Sequence, residues 1–286
     1  MATRIDGKAL AAVVRERAAS DVRELSERGI DPGLAVVLVG DNQASATYVR
    51  SKLRDCEQCG IKSFDYKLPE ETSQEELMEL VTKLNNDDAV TGILVQMPLP
   101  KHLDEEAVVA AISPNKDVDG FHPENLGRLV RGIPGLRPCT PAGIMVMLDE
   151  YGIDPAGKNA VIVGRSSIVG KPMSLMLLAR DATISVAHSH TDPRELARIC
   201  QGADILVAAC GIPKMIKGPW IKPGATVIDV GMDRDENGKL CGDVDFDSAE
   251  LVAGAITPVP GGVGPMTRAM LMHNVVLAAR MQNGLV

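Results

Sequence analysis

The stretch Ala160-Val-Ile-Val-Gly-Arg-Ser-Ser-Ile-Val-Gly-Lys-Pro172 decides the fold of this chain. Val161, Ile162 and Val163 are β-branched and apolar, as a buried parallel strand requires. Gly164 ends that strand, and Gly170 permits a second close backbone approach. Pro172 suits the first turn of a helix, where a missing N–H costs no hydrogen bond. Strand, glycine loop and helix start together gather free N–H groups and the positive end of a helix dipole, which attract an anion. The spacing is Gly-x5-Gly, not the G-x-G-x-x-G of dinucleotide-binding loops. Alone, the loop reads either as an anion site or as a tight βα turn with no ligand.

On both sides of this loop, strand and helix patterns alternate. Apolar stripes predict helices over 6–28, 41–60, 104–112, 140–148 and 265–281. Ser73 with Glu76 forms a capping box, and Leu77, Leu80, Val81 and Leu84 supply the apolar face of the helix that follows. A buried-strand run stands at 34–39, further strands at 90–97, 182–187, 205–209 and 226–230, and a short strand fits 62–68. Asp192-Pro193 with Glu195 starts a further helix, 235–238 is a hairpin turn, and 248–253 is a short helix. Residues 113–138 are rich in Pro, Gly and Asn and carry no periodic run. This alternation predicts an α/β fold with parallel sheets. The break near 140–150 divides it into two α/β domains, 1–139 with the C-terminal helix 273–286, and 140–272. Ligands of such folds gather at the carboxyl ends of strands and between domains.

Composition excludes several classes. The 286 residues are 45% hydrophobic and 24% charged, as in soluble globular proteins. A net charge of −8 argues against general nucleic-acid binding. No apolar run approaches membrane-spanning length, and the N-terminal residues lack a signal-peptide core. No membrane partner is expected, and the cytoplasm is the expected location. Six cysteines are too few for a disulfide framework and are expected to stay reduced. Cys56-x-x-Cys59 has no second Cys pair and reads as ordinary helical thiols.

Several residues could carry chemistry. Tyr48 and Lys52 are four apart on a predicted helix and share one face. An aromatic ring and an amine so placed can hold a planar ligand and reach its reactive atom, although a solvated surface pair has the same spacing. A partly buried lysine also binds its proton less tightly and can act as a base. Gln96 stands near the end of a predicted strand, where α/β sites gather. Asp119, in Lys116-Asp-Val-Asp-Gly-Phe121, could accept two parallel N–H bonds from a heterocycle or build a turn before Gly120. Asp117 competes with it for either role. After a dinucleotide loop, an acid at the end of the next strand binds the ribose hydroxyls of NAD. Here that strand ends His188-Ser-His190, with no acid until Asp192. Arg165 and Ser189 suit a 2′-phosphate instead, so NADP is the expected cofactor. His188-x-His190 has no further ligand in view, and no metal is expected. Pro260-Gly-Gly-Val-Gly-Pro265 offers an anion site, a flat backbone surface or a rigid turn.

These pieces occur together in one family. Tyr48-Val-Arg-Ser-Lys52, Gly92-Ile-Leu-Val-Gln-Met-Pro-Leu-Pro100, Lys116-Asp-Val-Asp-Gly-Phe121, Gly164-Arg-Ser-Ser-Ile-Val-Gly-Lys-Pro172 and Pro258-Val-Pro-Gly-Gly-Val-Gly-Pro-Met-Thr267 follow in order. Over nearly its whole length the chain resembles the bifunctional methylenetetrahydrofolate dehydrogenase/methenyltetrahydrofolate cyclohydrolase family. The resemblance implies two α/β domains, the second of Rossmann type and binding NADP, a folate cleft between them, and a homodimer. It implies NADP-dependent oxidation of 5,10-methylenetetrahydrofolate to 5,10-methenyltetrahydrofolate, then hydrolysis to 10-formyltetrahydrofolate. It makes Lys52 the key catalytic lysine, with Gln96 tuning its protonation, Tyr48 stacking on the folate and Asp119 anchoring the pterin. Val95, Met97, Pro260, Gly261, Gly262 and Val263 join them as implied substrate contacts. Gly164, Arg165, Ser166, Ser189 and Met232 are the implied NADP contacts.

Three positions depart from the family pattern. Met97 replaces the commoner Leu, His190 stands where Arg or Lys is frequent, and Arg268 stands where an apolar residue is usual. No role for Arg268 follows from the sequence. A monofunctional dehydrogenase and a non-catalytic NADP sensor are the competing readings. A sensor would not need Tyr48, Lys52, Gln96 and Asp119 together.

Overall fold

Strand β1 (Thr3–Arg4) and helix α1 (Gly7–Glu27) open the chain. The computed structural model describes residues 2–286, without the side chain of Ala44; Met1, where the first expected domain begins, lies outside them. The apolar run that follows α1 forms strand β2 (Gly33–Val39), buried along its whole length. A strand covered on both faces cannot alternate polar and apolar residues, so its sequence reads as one apolar block. Helix α2 (Gln43–Cys59) begins where the Asn42 side chain accepts the Ser45 N–H, and Gly60 closes it at φ 75°. Strand β3 (Lys62–Leu68) and helix α3 (Gln74–Asn85) come next. Ser73 and Glu76 form the capping box, and Leu77, Val81 and Leu84 are the buried face of α3. Strand β4 (Gly92–Val95) completes a parallel sheet of order β3-β2-β4. Ala35, Val37, Val39, Leu77, Val81 and Ile93 meet in its core. Each of the Val, Leu and Ile side chains contributes about 1.5–3 kcal/mol by leaving water.

Helices α4 (Glu105–Ala111) and α5 (Pro123–Val130) follow. Helix α5 lies inside the stretch 113–138, where no periodic run predicts one. It is eight residues long and buries only Asn125 and Leu129, too few positions to make a period.

Helix α6 (Cys139–Glu150) leads to a second sheet. Its elements are β5 (Asn159–Val163), α7 (Gly170–Leu178), β6 (Thr183–Ala187), α8 (Pro193–Gln201), β7 (Ile205–Ala208) and β8 (Thr226–Asp229). A small antiparallel hairpin, β9 (Asp233–Arg234) with β10 (Leu240–Cys241), carries the turn expected at 235–238. Helix α9 (Phe246–Glu250) begins and ends a few residues before the helix expected at 248–253. Strand β11 (Ala255–Ile256) and helix α10 (Val263–Gln282) end the chain. The sheet order is β1-β11-β8-β7-β5-β6, and every pair is parallel. From β5 the chain steps outward to β6, then returns to the other side through β7 and β8. The strand order therefore reverses between β5 and β7, the switch point at which doubly wound sheets bind ligands.

Packing groups residues 12–139 with 268–286, and residues 2–11 with 140–267. The first residues thus belong with the second sheet, not with the domain expected to begin at residue 1. The reason is local: β1 pairs with β11, and the Lys8 N–H donates to the Gly261 carbonyl at 2.9 Å. Likewise 268–272 group with the first unit, so the C-terminal portion of that unit starts before residue 273.

Candidate active site

Helix α2 and the end of β4 build the first cluster. Tyr48 and Lys52 lie one turn apart on α2, and Tyr48 keeps 39% of its surface exposed. Lys52 Nζ donates to Gln96 Oε1 at 3.0 Å. The Gln96 N–H donates to the Val37 carbonyl at 2.8 Å, which continues the sheet, and Gln96 Nε2 donates to the Met97 carbonyl at 2.7 Å. With its Nε2 so engaged, the amide presents its oxygen to Lys52. Val95 is buried in the core of this unit, while Met97 is partly exposed.

The structure separates Asp117 from Asp119. The buried Asp117 carboxylate accepts the N–H groups of Gly120, Phe121 and His122 at 3.2, 3.1 and 2.8 Å, and Asn125 Nδ2 at 2.8 Å. Asp117 therefore builds the turn. A Cβ at Gly120 would run into the Arg137 main chain, so the turn admits only glycine there. The Asp119 carboxyl is pushed above its ordinary value by burial, pulled back by Lys52 and pushed up again by Asp117. Cys139 belongs to the same neighbourhood, which sequence reasoning missed. Its thiol donates to the Val118 carbonyl at 3.3 Å, and Asn274 Nδ2 lies 3.5 Å from its sulfur. Burial, and then the charge of Asp119, hold this thiol well above its ordinary value. Only its place just before the Thr140-Pro141 helix start marked it in the sequence.

Arg268 acquires a partner. Its Nη1 lies 3.4 Å from Asp55 Oδ2, and Arg15 Nε lies 3.8 Å from Asp55 Oδ1. Asp55 is on α2, on the face that carries Tyr48 and Lys52, and is only 5% exposed. Burial raises the Tyr48 phenol, and the charge of Arg268 draws it back. Cys56 and Cys59 are buried thiols, pushed up by desolvation to about 12 and about 11. Burial thus disfavours the thiolate form of both, as in structural cysteines. Among the described residues no three His, Cys, Asp or Glu side chains are grouped to hold a metal.

The second cluster forms around the switch point. Gly164 sits at φ 133°, and a Cβ there would run into the Ala209 carbonyl. A Cβ at Gly170 would run into the Gly164 carbonyl. Both glycines are thus forced by close backbone approach. Ser166 Oγ accepts from Val169 N–H and Gly170 N–H at 3.2 and 3.3 Å, closing the loop ahead of α7. The Gly164 N–H donates to the Ala187 carbonyl at 2.8 Å, so Arg165 and Ser189 follow adjacent strand ends; both are exposed. His190 N–H donates to His188 Nδ1 at 3.2 Å, which turns the His188 ring toward its own backbone. Met232 is exposed, and a Cβ at Gly264 would come into van der Waals contact with it. Gly261 takes φ 108°, and a Cβ at Gly262 would press on the Pro258 carbonyl, so 260–263 is a glycine-dependent turn into α10.

Two family models match the chain. One is the catalytic domain of tetrahydrofolate dehydrogenase/cyclohydrolase over residues 5–119, the other its NAD(P)-binding domain over residues 138–283. The chain belongs to the tetrahydrofolate dehydrogenase/cyclohydrolase family. The bifunctional protein FolD of Anaeromyxobacter dehalogenans is 60% identical over 277 residues, 96% of this chain and 98% of that one. The crystal structure of the bifunctional FolD dehydrogenase/cyclohydrolase of Campylobacter jejuni is 48% identical, with a TM-score of 0.96, over 99% of this chain and 100% of its own. The Trypanosoma brucei dehydrogenase-cyclohydrolase, solved with NADP and an inhibitor, is 40% identical, with a TM-score of 0.94, over 100% and 99%. The family's catalytic-domain match holds Tyr48, Lys52, Gln96 and Asp119, and its NAD(P)-domain match holds the glycine loop. Helix α5 falls between the two matches.

Proposed function

We propose that this enzyme oxidises 5,10-methylenetetrahydrofolate to 5,10-methenyltetrahydrofolate with NADP and hydrolyses that product to 10-formyltetrahydrofolate, with Lys52 at the centre of the chemistry. The observation that carries the reading is the 3.0 Å Lys52–Gln96 hydrogen bond beside a desolvated Asp119, in a chain that has both family domains.

Oxidation asks little of acids or bases, because both folate nitrogens share the positive charge of the product. It asks for a held substrate. Asp119, free of the turn that occupies Asp117, accepts the amide and amino N–H groups of the pterin. Tyr48 stacks on the folate with its exposed ring, and Val95 and Met97 flank Gln96 along the same edge. NADP, when bound, accepts the hydride. The chain fits a dinucleotide at the switch point, since close backbone packing holds Gly164 and Gly170 free of side chains in the loop between β5 and α7. Arg165 and Ser189 take the 2′-phosphate, with Ser166 and Met232 as further contacts.

Hydrolysis needs a base for the attacking water. Lys52 supplies that base. One of its N–H groups donates to Gln96 Oε1, which leaves its lone pair turned away from Gln96 to receive the proton. A protonated lysine would instead repel the methenyl cation.

A second copy of this chain is the expected partner. Strand β6 is an edge of the six-stranded sheet and exposes Val186, a surface that supports pairing between copies. Six unpaired cysteines suit a reducing cytoplasm. The test is one preparation assayed for both reactions. Reduced-nicotinamide absorbance must appear with the folate substrate; its absence would favour a sensor. Lys52→Met must abolish hydration of methenyltetrahydrofolate while the protein stays folded, and unchanged hydration removes Lys52 from the mechanism.

A further inference from the structure

Strand β7 ends beside the switch point, and the turn Cys210-Gly-Ile212 follows it. All three backbone N–H groups of this turn converge on one carboxylate. Cys210 and Gly211 donate to Asp243 Oδ2 at 2.6 and 3.1 Å, and Ile212 donates to Asp243 Oδ1 at 2.9 Å. Asp243 is completely buried. It is held in turn by a second carboxylate, Asp229, at the end of β8. Asp229 Oδ1 accepts the Gly231 and Asp243 N–H groups at 3.0 and 2.9 Å, and its Oδ2 accepts the Val244 N–H at 3.0 Å.

The packing around both acids is exclusive. A Cβ at Gly231 would strike Asp243, and one at Gly242 would strike Asp229. Among the described residues neither acid has a salt-bridge partner. Burying two neighbouring carboxylates without a cation is costly. Desolvation, with a smaller contribution from Asp243, pushes Asp229 up to about 7 against the pull of its three N–H donors. An arrangement serving packing alone would be cheaper with apolar side chains.

The gain lies in the turn. Across a planar trans peptide, N–H and C=O point in opposite directions. Three N–H groups drawn to Asp243 therefore turn the carbonyls of Ala209, Cys210 and Gly211 the other way. The Ala209 carbonyl is the group that excludes a side chain at Gly164. The turn is thus aimed at the glycine loop by a charge behind it.

We infer that Asp243 is a positioning residue for hydride transfer alone, setting the 210–212 turn against the dinucleotide loop, with Asp229 holding it in place. The inference rests on the function proposed above. Asparagine at 243 keeps the shape but offers one acceptor oxygen in place of two, so either Ile212 or the Cys210–Gly211 pair loses its acceptor. Asp243→Asn should lower dehydrogenase kcat/KM for NADP tenfold or more. Hydration of methenyltetrahydrofolate, assayed without dinucleotide, should stay within twofold. Gly211→Val approaches the same turn from outside the buried pair. Gly211 sits at φ 67° with nothing near its Cβ position, so valine strains the turn without crowding the core. It should show the same one-sided loss, and it decides the matter if Asp243→Asn does not fold. Parallel loss of both activities in the folded variants, or unchanged dehydrogenase kcat/KM in Gly211→Val, overturns the assignment of Asp243. A wild-type enzyme that forms no reduced nicotinamide overturns instead the function on which it rests.

Discussion

Replacing Arg268 by methionine should cost the fold about 2–3 kcal/mol near neutral pH. The figure follows from the geometry around Asp55. Arg268 Nη1 stands 3.4 Å from a carboxylate that is only 5% exposed. At an effective dielectric constant of about 20, that separation corresponds to a gross attraction of roughly 4–5 kcal/mol. Removing a guanidinium that is 27% exposed returns part of its own desolvation cost. Arg15, at 3.8 Å, still faces Asp55 after the substitution. Breaking a fully buried pair costs about 3–5 kcal/mol, so the remaining partner brings the loss below that range.

The pH dependence separates this mechanism from lost packing. Burial already holds the Asp55 carboxyl above its ordinary 3.8, while Arg268, Arg15 and Arg54 pull it down. Without Arg268 the folded value rises further. A raised carboxyl costs the fold nothing below the unfolded value, and the cost grows as pH rises until the folded group ionises. The extra cost in the variant therefore accrues between the two folded values. It is complete above the variant's folded value and vanishes as pH falls toward the ordinary carboxyl range. Urea melts at high and low pH measure it. In an Asp55→Ala background, Arg268→Met should cost less than about 1 kcal/mol, because the buried carboxylate that Arg268 compensates is gone. A cost that is independent of pH, or undiminished in the Asp55→Ala background, refutes the ion-pair account.

Two further substitutions probe the two clusters. Arg165→Ala should weaken NADP by about 10–100-fold, the worth of charge-assisted contacts to a phosphate, and NAD much less. Steady-state KM values for both dinucleotides decide it, and equal losses remove Arg165 from the 2′-phosphate site. Asp117→Ala strips the acceptor from four donors and should destabilise the fold by about 3 kcal/mol or more, read from denaturant melts. Asp119→Asn should leave the melt nearly unchanged while both activities collapse. The opposite pattern would exchange the roles of the two acids.

What the sequence carried legibly was local. The apolar blocks of β2 and β5, the Ser73–Glu76 capping box and the Gly60 helix stop each act within a few residues, and each is formed. Helix α5 was illegible because its anchor is a polar tertiary contact. Asn125 Nδ2 donates to the Pro114 carbonyl and to Asp117, and no hydrophobic period announces such bonds. The edge strand β1 is only two residues long and pairs with β11 at the far end of the chain, so no run marks either.

The same division runs through the site. Tyr48 and Lys52 share a helix face, and four-residue spacing shows it. Spacing cannot separate Asp117 from Asp119, since the choice depends on which carboxylate the turn consumes. The glycines at 231 and 242 did stand beside Asp229 and Asp243 in the sequence. Their meaning appears only when a Cβ at either is seen to strike a buried carboxylate. Arg268 makes the point most sharply. Taken singly, an arginine at an apolar position has no explanation. Its partner Asp55 is on another helix, beyond Lys52, and a buried charge becomes intelligible only together with the opposite charge that lets it stay buried.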